Sequence, residues 1–180
     1  MRIVFKAVLL TILSLTACTV FKPQPVPRER ITEEMRGIWI TRFDWVKKDS
    51  AEMAAHIRTI MKEVAEHNFN TVFFQVRGAA ETLYPSPLEP WSKLLNEQDP
   101  GFDPVQLAIQ EAHRQGLEFH AYINLMPLRA GTDRPKDTSH LYYRHGPEVP
   151  EEKSWVVFDS TGKPMELLQY YYLNPAIPGV

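Results

Sequence analysis

Polar and aromatic side chains stand in or just after three apolar runs, where they could bind a substrate. These residues are Trp39 in the first run, Gln75 and Arg77 at the end of the second, and His120 and Asn124 in the third. An amide and a guanidinium can bind substrate hydroxyls or orient a carboxylate, and an imidazole can position a substrate or a catalytic acid. The alternatives are an interior polar network, a surface ion pair or, for the indole, filling of the interior. We predict that these five residues bind substrate.

A carboxylate and two aromatic rings lie in the segment after the second run. Glu81 is the candidate catalytic residue, with a solvated loop charge as the alternative. Tyr84 is predicted to contact substrate. Trp91, next to Pro90, is predicted to pack on the core.

Three other kinds of chemistry lack support in the sequence. No second histidine stands four residues from His113 or His120, so we expect no zinc site. No G-x-S-x-G turn is present for a serine nucleophile, and no glycine-rich loop follows a strand to bind a nucleotide. We expect neither a metal nor a cofactor.

The elements that would position these groups alternate strand with helix. Predicted strands cover residues 37–40, 71–76 and 117–124, and predicted helices cover residues 50–67 and about 103–116. Asp49 would cap the first helix, and Asp103 followed by Pro104 would open the second. Strands joined by helical crossovers imply a parallel sheet and the α/β class.

Alternation along the third strand separates a polar face from an apolar one. Residues 117, 119, 121 and 123 are apolar on one face, while Glu118, His120, Tyr122 and Asn124 share the other. An apolar face on helices and a polar face inward suit a (β/α)8 barrel, which builds its site at the carboxyl ends of the strands. A doubly wound open sheet stays an alternative.

The amino terminus has the pattern of a lipoprotein signal peptide. Arg2 and Lys6 precede a short apolar run, and residues 15–18 read LTAC, which resembles a lipobox. Cys18, the single cysteine, would then carry lipid and hold the protein on a membrane. The alternative is a plain signal peptide with a chance cysteine. We expect a signal peptide over residues 1–18 and a proline-rich linker over residues 19–34.

The charge balance disfavours polyanionic partners. The 180 residues include 20 basic and 22 acidic side chains, for a net charge of −2. Such a mixture produces no long-range field that attracts nucleic acid. We therefore expect no nucleic-acid partner, and a membrane contact only through Cys18.

Six segments, in order, resemble the glycosyl-hydrolase-like 10 family. They are MRGIWI at 35–40, NTVFFQVR at 70–77, EPWS at 89–92, GFDP at 101–104, EAHRQG at 111–116 and EFHAYIN at 118–124. The resemblance covers about residues 35–180. It implies a (β/α)8 glycosidase on a secreted or lipidated bacterial protein that cleaves a cell-envelope glycan, with peptidoglycan strands as the candidate substrate.

The chain departs from the family's pattern in three places. The second-strand motif usually continues with proline and later aspartate, where this chain has Gly78 and Glu81. Asn124 is followed by Leu125 where the family usually has proline. An eight-stranded barrel needs about 250 residues, so we expect residues 35–180 to form a truncated barrel of about three βα units.

Glycoside hydrolysis requires two carboxyl groups flanking the bond, and the sequence offers no convincing pair. Asp44, Glu81, Asp103 and Glu118 are the carboxylates near strand ends or loops. We therefore expect a glycoside-hydrolase-like lipoprotein whose catalytic acids are absent from this chain. The alternative is a noncatalytic lipoprotein that binds glycan. Thr19, directly after Cys18, resembles an outer-membrane sorting signal, which predicts anchoring in that membrane facing the periplasm.

Overall fold

The computed structural model describes residues 34–131, 133–178 and 180. The chain divides into Met1–Glu34 and Met35–Val180. The predicted signal peptide, Cys18 and all of the predicted linker except Glu34 lie outside the described residues. Among the helices that the structure describes, none has the length and apolar character needed to cross a membrane.

Three parallel strands form the larger sheet, in the order β1-β2-β3. They are β1 (Gly37–Ile40), β2 (Thr71–Arg77) and β3 (Glu118–Ile123). The helices between them are α1 (Arg42–Trp45), α2 (Ser50–Glu66) and α3 (Pro104–Arg114), and a 3-10 turn covers Lys93–Leu95. The predicted α/β class and parallel sheet are confirmed.

Local signals set the ends of the two long helices. The Asp49 carboxylate accepts a hydrogen bond from the Glu52 amide at 2.7 Å, which satisfies one of the free N–H groups at the start of α2. Asp103 does the same for α3, accepting from the Val105 and Gln106 amides at 3.0 and 2.9 Å. The predicted starts of both helices are confirmed.

The main core lies between the helices and one face of the larger sheet. The Trp45 ring stacks on Phe74 of β2 with ring centroids 4.8 Å apart. Each fully buried Val, Ile, Phe or Met side chain contributes on the order of 1.5–3 kcal/mol to the free energy of unfolding. The fully buried members of this core include Met53, Ile57 and Met61 of α2, Ala108 and Ala112 of α3, and Val72 and Phe74 of β2.

A second, smaller sheet was not expected from the sequence. It is antiparallel, in the order β4-β6-β5, and consists of β4 (Pro127–Ala130), β5 (Glu166–Leu167) and β6 (Tyr170–Tyr172). A short helix, α4 (Leu141–His145), and a 3-10 turn, Glu151–Lys153, lie between β4 and β5. Leu128, Val156 and Leu173 form its separate small core with Ala80. This sheet places Tyr170 and Tyr172 beside the carboxyl ends of the parallel strands.

Candidate functional site

A pocket of about 300 Å³ lies at the carboxyl ends of the parallel strands. Its wall combines aromatic rings with amide and hydroxyl groups. We call it the carboxyl-end pocket and define it by Thr41, Arg42, Phe43, Gln75, Tyr122, Asn124, Pro127, Tyr170 and Tyr172. Two of the residues predicted from the sequence, Gln75 and Asn124, therefore lie in one concavity.

Gln75 supports the wall of this pocket. Its Oε1 accepts a hydrogen bond from the Arg42 backbone amide at 3.1 Å, and its Nε2 donates to the Arg77 carbonyl at 3.4 Å. The side chain is buried. Its amide therefore holds the segment after β1 against β2, next to the space that a ligand would fill.

Arg42 brings a positive charge to the wall. Its Nη2 donates to the Tyr170 hydroxyl at 3.0 Å, and its guanidinium lies 4.4 Å from the centroid of the Phe43 ring. Only 6% of the residue is exposed. The pocket thus contains a guanidinium held between two aromatic side chains.

Tyr122 of β3 adds a hydrogen-bond donor. Burial raises the pKa of its phenol, an effect that the Arg42 charge partly offsets. The group stays protonated at neutral pH and can donate to a ligand oxygen.

Arg77 lies beside the pocket without lining it. Its guanidinium makes two hydrogen bonds to Glu89, Nε to Oε2 at 2.7 Å and Nη2 to Oε1 at 2.5 Å, and Nη1 donates to the Asn124 carbonyl. The positive charge is therefore matched by a carboxylate. This side chain ties the loop after β2 to the end of β3.

Trp39 and His120 lie in a row of rings on the sheet face opposite the helices. In register across the strands, Trp39 pairs with Phe73 and Phe73 pairs with His120. The indole stacks on Phe73 at a centroid distance of 4.1 Å, and the imidazole lies 5.2 Å from the same ring. His120 Nε2 is 2.8 Å from Glu118 Oε1. Neither residue lines the carboxyl-end pocket, so the structure does not bring them together with Gln75 and Asn124 there.

Glu81 is buried in a polar network away from this pocket. Its Oε1 accepts from Arg129 Nη1 at 2.5 Å, and its Oε2 accepts from Ser92 Oγ at 3.0 Å and from the Lys93 amide at 2.8 Å. His140 Nε2 lies 3.8 Å from Oε1. This carboxylate connects Ser92, Lys93 and Arg129 through hydrogen bonds. Its predicted catalytic role stays a prediction.

His140 is held neutral by its contacts. Its Nδ1 accepts from the Tyr142 amide at 3.0 Å, so the proton resides on Nε2, which donates to the Ala79 carbonyl at 3.2 Å. Burial lowers the pKa of the imidazole, against the opposing effect of Glu81. The imidazole thus serves as the cap of α4.

Tyr84 and Trp91 line a different pocket, of about 210 Å³, on the loop after β2. Glu89, Asp137 and hydroxyl groups of Ser86 and Ser139 share that wall. The structure therefore separates Tyr84 from Gln75 and Asn124. Its predicted contact with substrate stays a prediction.

The sequence did not indicate several residues of the site. Arg42, Tyr170 and Tyr172 line the carboxyl-end pocket, and Arg129 and His140 surround Glu81. The one local signal for the tyrosines was the run of three at 170–172. Nothing in the sequence near Arg129 indicates that its charge is buried.

The wall of the carboxyl-end pocket carries groups that can hold a ligand. Among the described residues that line it, none is a carboxylate. The described part of the chain also contains no group of three or more histidine, cysteine, aspartate or glutamate side chains able to hold a metal ion. The rings, amides and guanidinium are suited to a ligand with both hydroxyl groups and apolar surfaces.

Comparison with known proteins assigns the chain to a family. A family model described as glycosyl hydrolase-like 10 matches residues 34–180. The chain belongs to the glycosyl hydrolase-like 10 family. The resemblance inferred from the six sequence motifs is thereby confirmed.

Two curated relatives show how similar the chain is to known members and how much of their length it covers. The chain is 28% identical to glycosyl hydrolase DigH of Escherichia coli strain K12, over 73% of this chain and 39% of that protein. It is 29% identical to glycosyl hydrolase YngK of Bacillus subtilis strain 168, over 69% of this chain and 29% of that protein. The match thus spans less than two fifths of the length of either relative.

Gly78 lies directly against the Arg42 side chain. A Cβ atom at position 78 would lie 2.9 Å from Arg42 Cζ, closer than ordinary contacts allow. The absence of a side chain at this position therefore makes room for the buried guanidinium.

Proposed function

We propose that this chain is the amino-terminal part of a (β/α)8 barrel whose carboxyl-end pocket binds a glycan of the bacterial cell envelope, with peptidoglycan strands as the candidate. The observation that carries the proposal is the pocket wall at the carboxyl ends of three parallel strands, where barrel enzymes build their sites. Membership of a glycosyl hydrolase-like family supports the choice of a glycan.

The composition of the pocket wall matches the two kinds of surface on a sugar ring. Aromatic rings can pack on the apolar faces of a pyranose. Amide, hydroxyl and guanidinium groups can hydrogen-bond its hydroxyls. In this pocket the aromatic rings are those of Phe43, Tyr170 and Tyr172. The hydrogen-bonding amide and guanidinium are those of Asn124 and Arg42.

We expect the chain by itself to bind glycan without hydrolysing it. Hydrolysis needs two carboxyl groups roughly 5 to 9 Å apart around the bond, and the described residues of the pocket wall provide none. In the hydrolase proposal, the acids come from barrel strands outside this chain. In the alternative, a noncatalytic lipoprotein, binding is the whole function.

The test is titration calorimetry on the full 180-residue chain in mild detergent, with soluble peptidoglycan glycan strands as ligand. Binding without release of new reducing ends supports the proposal. Absence of binding contradicts it, and release of reducing ends by this chain contradicts the location of the acids.

A pair of variants tests whether binding occurs in the carboxyl-end pocket. Phe43→Ala should weaken affinity about 2- to 10-fold, since an aromatic contact contributes roughly 0.5–1.5 kcal/mol. Phe43 is largely exposed, so the fold should survive. Leu168→Ala, at an exposed side chain that does not line the pocket, is the control. Equal affinities of the two variants would place the binding site elsewhere.

The location of the protein is part of the same proposal. Lipid on Cys18 would hold the chain at the outer membrane facing the periplasm, beside envelope glycan. Residues 19–34 would space the folded part from the lipid surface.

A further inference from the structure

The Arg42 guanidinium is buried without a carboxylate to neutralise it. Among the described residues, no carboxylate lies within 4.0 Å of its nitrogens. By contrast, Arg77 and Arg129, which are comparably buried, each contact a glutamate. An unmatched charge in such a position costs free energy unless something else compensates it.

The nearest carboxylate in sequence, that of Asp44, makes no ion pair with this guanidinium. Asp44 Oδ2 accepts hydrogen bonds from the Thr41 amide and the Thr41 hydroxyl, both at 2.7 Å. It acts as the partner in the cap of α1. Asp44 therefore makes no ion pair with Arg42 within 4.0 Å, although both groups act electrostatically on Tyr122.

Part of the guanidinium remains available to a ligand. Within the described residues, every buried side-chain nitrogen and oxygen has a hydrogen-bond partner. The only such partner of the Arg42 guanidinium is the Tyr170 hydroxyl on Nη2. Its remaining nitrogens therefore keep some contact with solvent, although only 6% of the residue is exposed, and Arg42 lines the carboxyl-end pocket.

The rest of the wall leaves the positive charge dominant. Gln75 and Asn124 contribute neutral amides, and the tyrosines contribute phenols. The raised pKa keeps the Tyr122 phenol protonated and uncharged. The residues that line the pocket carry one guanidinium and no carboxylate, which favours an anion, while Asp44 acts on Tyr122 from outside this lining.

We propose that Arg42 receives a carboxylate of the glycan, so that the carboxyl-end pocket selects acidic over neutral glycans. The inference rests on the proposed glycan-binding function and adds the charge class of the ligand. A guanidinium binds a carboxylate through directed, charge-assisted hydrogen bonds. The carboxylate could belong to the lactyl group of a muramic acid or to a hexuronate ring, and the test separates the two.

The experiment compares acidic ligands with neutral derivatives of the same sugars. Calorimetry on the full chain in mild detergent uses a disaccharide of N-acetylglucosamine and N-acetylmuramic acid, and its lactyl methylamide. A second pair is digalacturonate and its methyl ester. We expect at least about 10-fold tighter binding of the acid in one pair, the scale of a hydrogen bond to a charged group. The pair that shows it identifies the source of the carboxylate.

Variants assign that preference to Arg42. Arg42→Gln should remove the acid preference while neutral ligands still bind, and Arg42→Lys should keep part of it, since the charge remains and the planar fork is lost. Arg114→Gln, on the exposed surface of α3, is the control for loss of one positive charge and should retain the full preference.

If Arg42→Gln does not fold, Tyr170→Phe tests the same inference. It removes the hydroxyl that holds Nη2, and the ratio of acid to neutral affinity should fall about 2- to 10-fold. Thermal unfolding of each variant establishes that it is folded.

The outcomes separate the two proposals. Equal binding of acid and neutral ligands overturns the inference and leaves glycan binding intact. A full acid preference in folded Arg42→Gln also overturns it. Failure of the wild-type chain to bind any of the four ligands contradicts the proposed function and the inference together.

Discussion

Arg129 of β4 donates a hydrogen bond from Nη1 to Glu81 Oε1 at 2.5 Å, and this contact connects the loop after β2 to the smaller sheet. Both side chains are more than nine-tenths buried. The pair therefore helps to fix the smaller sheet, and with it Tyr170 and Tyr172, beside the carboxyl ends of the parallel strands.

Removal of Arg129 should be costly. Arg129→Met leaves Glu81 buried without its main counter-charge and should lower the free energy of unfolding by about 3–5 kcal/mol. Urea unfolding followed by tryptophan fluorescence measures this. Lys62→Met breaks the exposed pair with Glu66 on α2 and should cost less than about 1 kcal/mol. Similar costs for the two variants would mean that the buried pair does not anchor the smaller sheet.

Stability should fall as the pH drops through about 6.5, because of His140. Burial holds its pKa below the unfolded value, which is about 6.5. Below that pH the unfolded chain binds a proton that the folded chain does not, so acid favours unfolding. Above about pH 7 both states are neutral and the contribution to pH dependence disappears.

A variant isolates the His140 contribution. His140→Asn keeps a side chain able to cap α4 but cannot titrate, so the loss of stability between pH 7.5 and 5.5 should be smaller than in the wild type. His113→Gln, at an exposed position on α3, should keep the wild-type slope. Identical slopes in wild type and His140→Asn would contradict the assignment.

Asn124 and His120 should behave differently in glycan binding, although the sequence grouped them. Asn124→Ala should weaken affinity about 2- to 10-fold, since its side chain lines the carboxyl-end pocket. His120→Ala should leave affinity unchanged, because its imidazole contacts Glu118 and Phe73 outside that pocket. Calorimetry with glycan strands decides between them. A comparable loss of affinity in His120→Ala would support the prediction from the sequence that both residues bind substrate.

The lipid anchor is tested by Cys18→Ala. If Cys18 carries acyl chains, the variant should stay unprocessed or leave the detergent phase, because those chains provide the membrane affinity. Detergent phase separation and the mass of the amino-terminal peptide are the measurements. A variant that is processed and still partitions into detergent rules out anchoring through Cys18.

The sequence by itself determined the elements of the larger sheet and both long helices. Their signals are local: an apolar stripe repeats along residues 53–64, and Asp49 and Asp103 stand where a helix start needs an acceptor. Alternation along the strands also grouped Gln75 and Asn124, which line one pocket, with Arg77 and His120, which do not line it. Each of these inferences depends on residues close together in the chain.

Only the tertiary structure decided which buried charges are paired. Arg42 meets Tyr170 across 128 positions of sequence, and Glu81 meets Arg129 across 48. Both contacts depend on the smaller sheet, whose strands of two to four residues are too short to produce a periodic pattern. A side chain's partners are set by where distant segments pack, so neither the pairing of Glu81 with Arg129 nor the contact of Arg42 with Tyr170 could be read from local sequence.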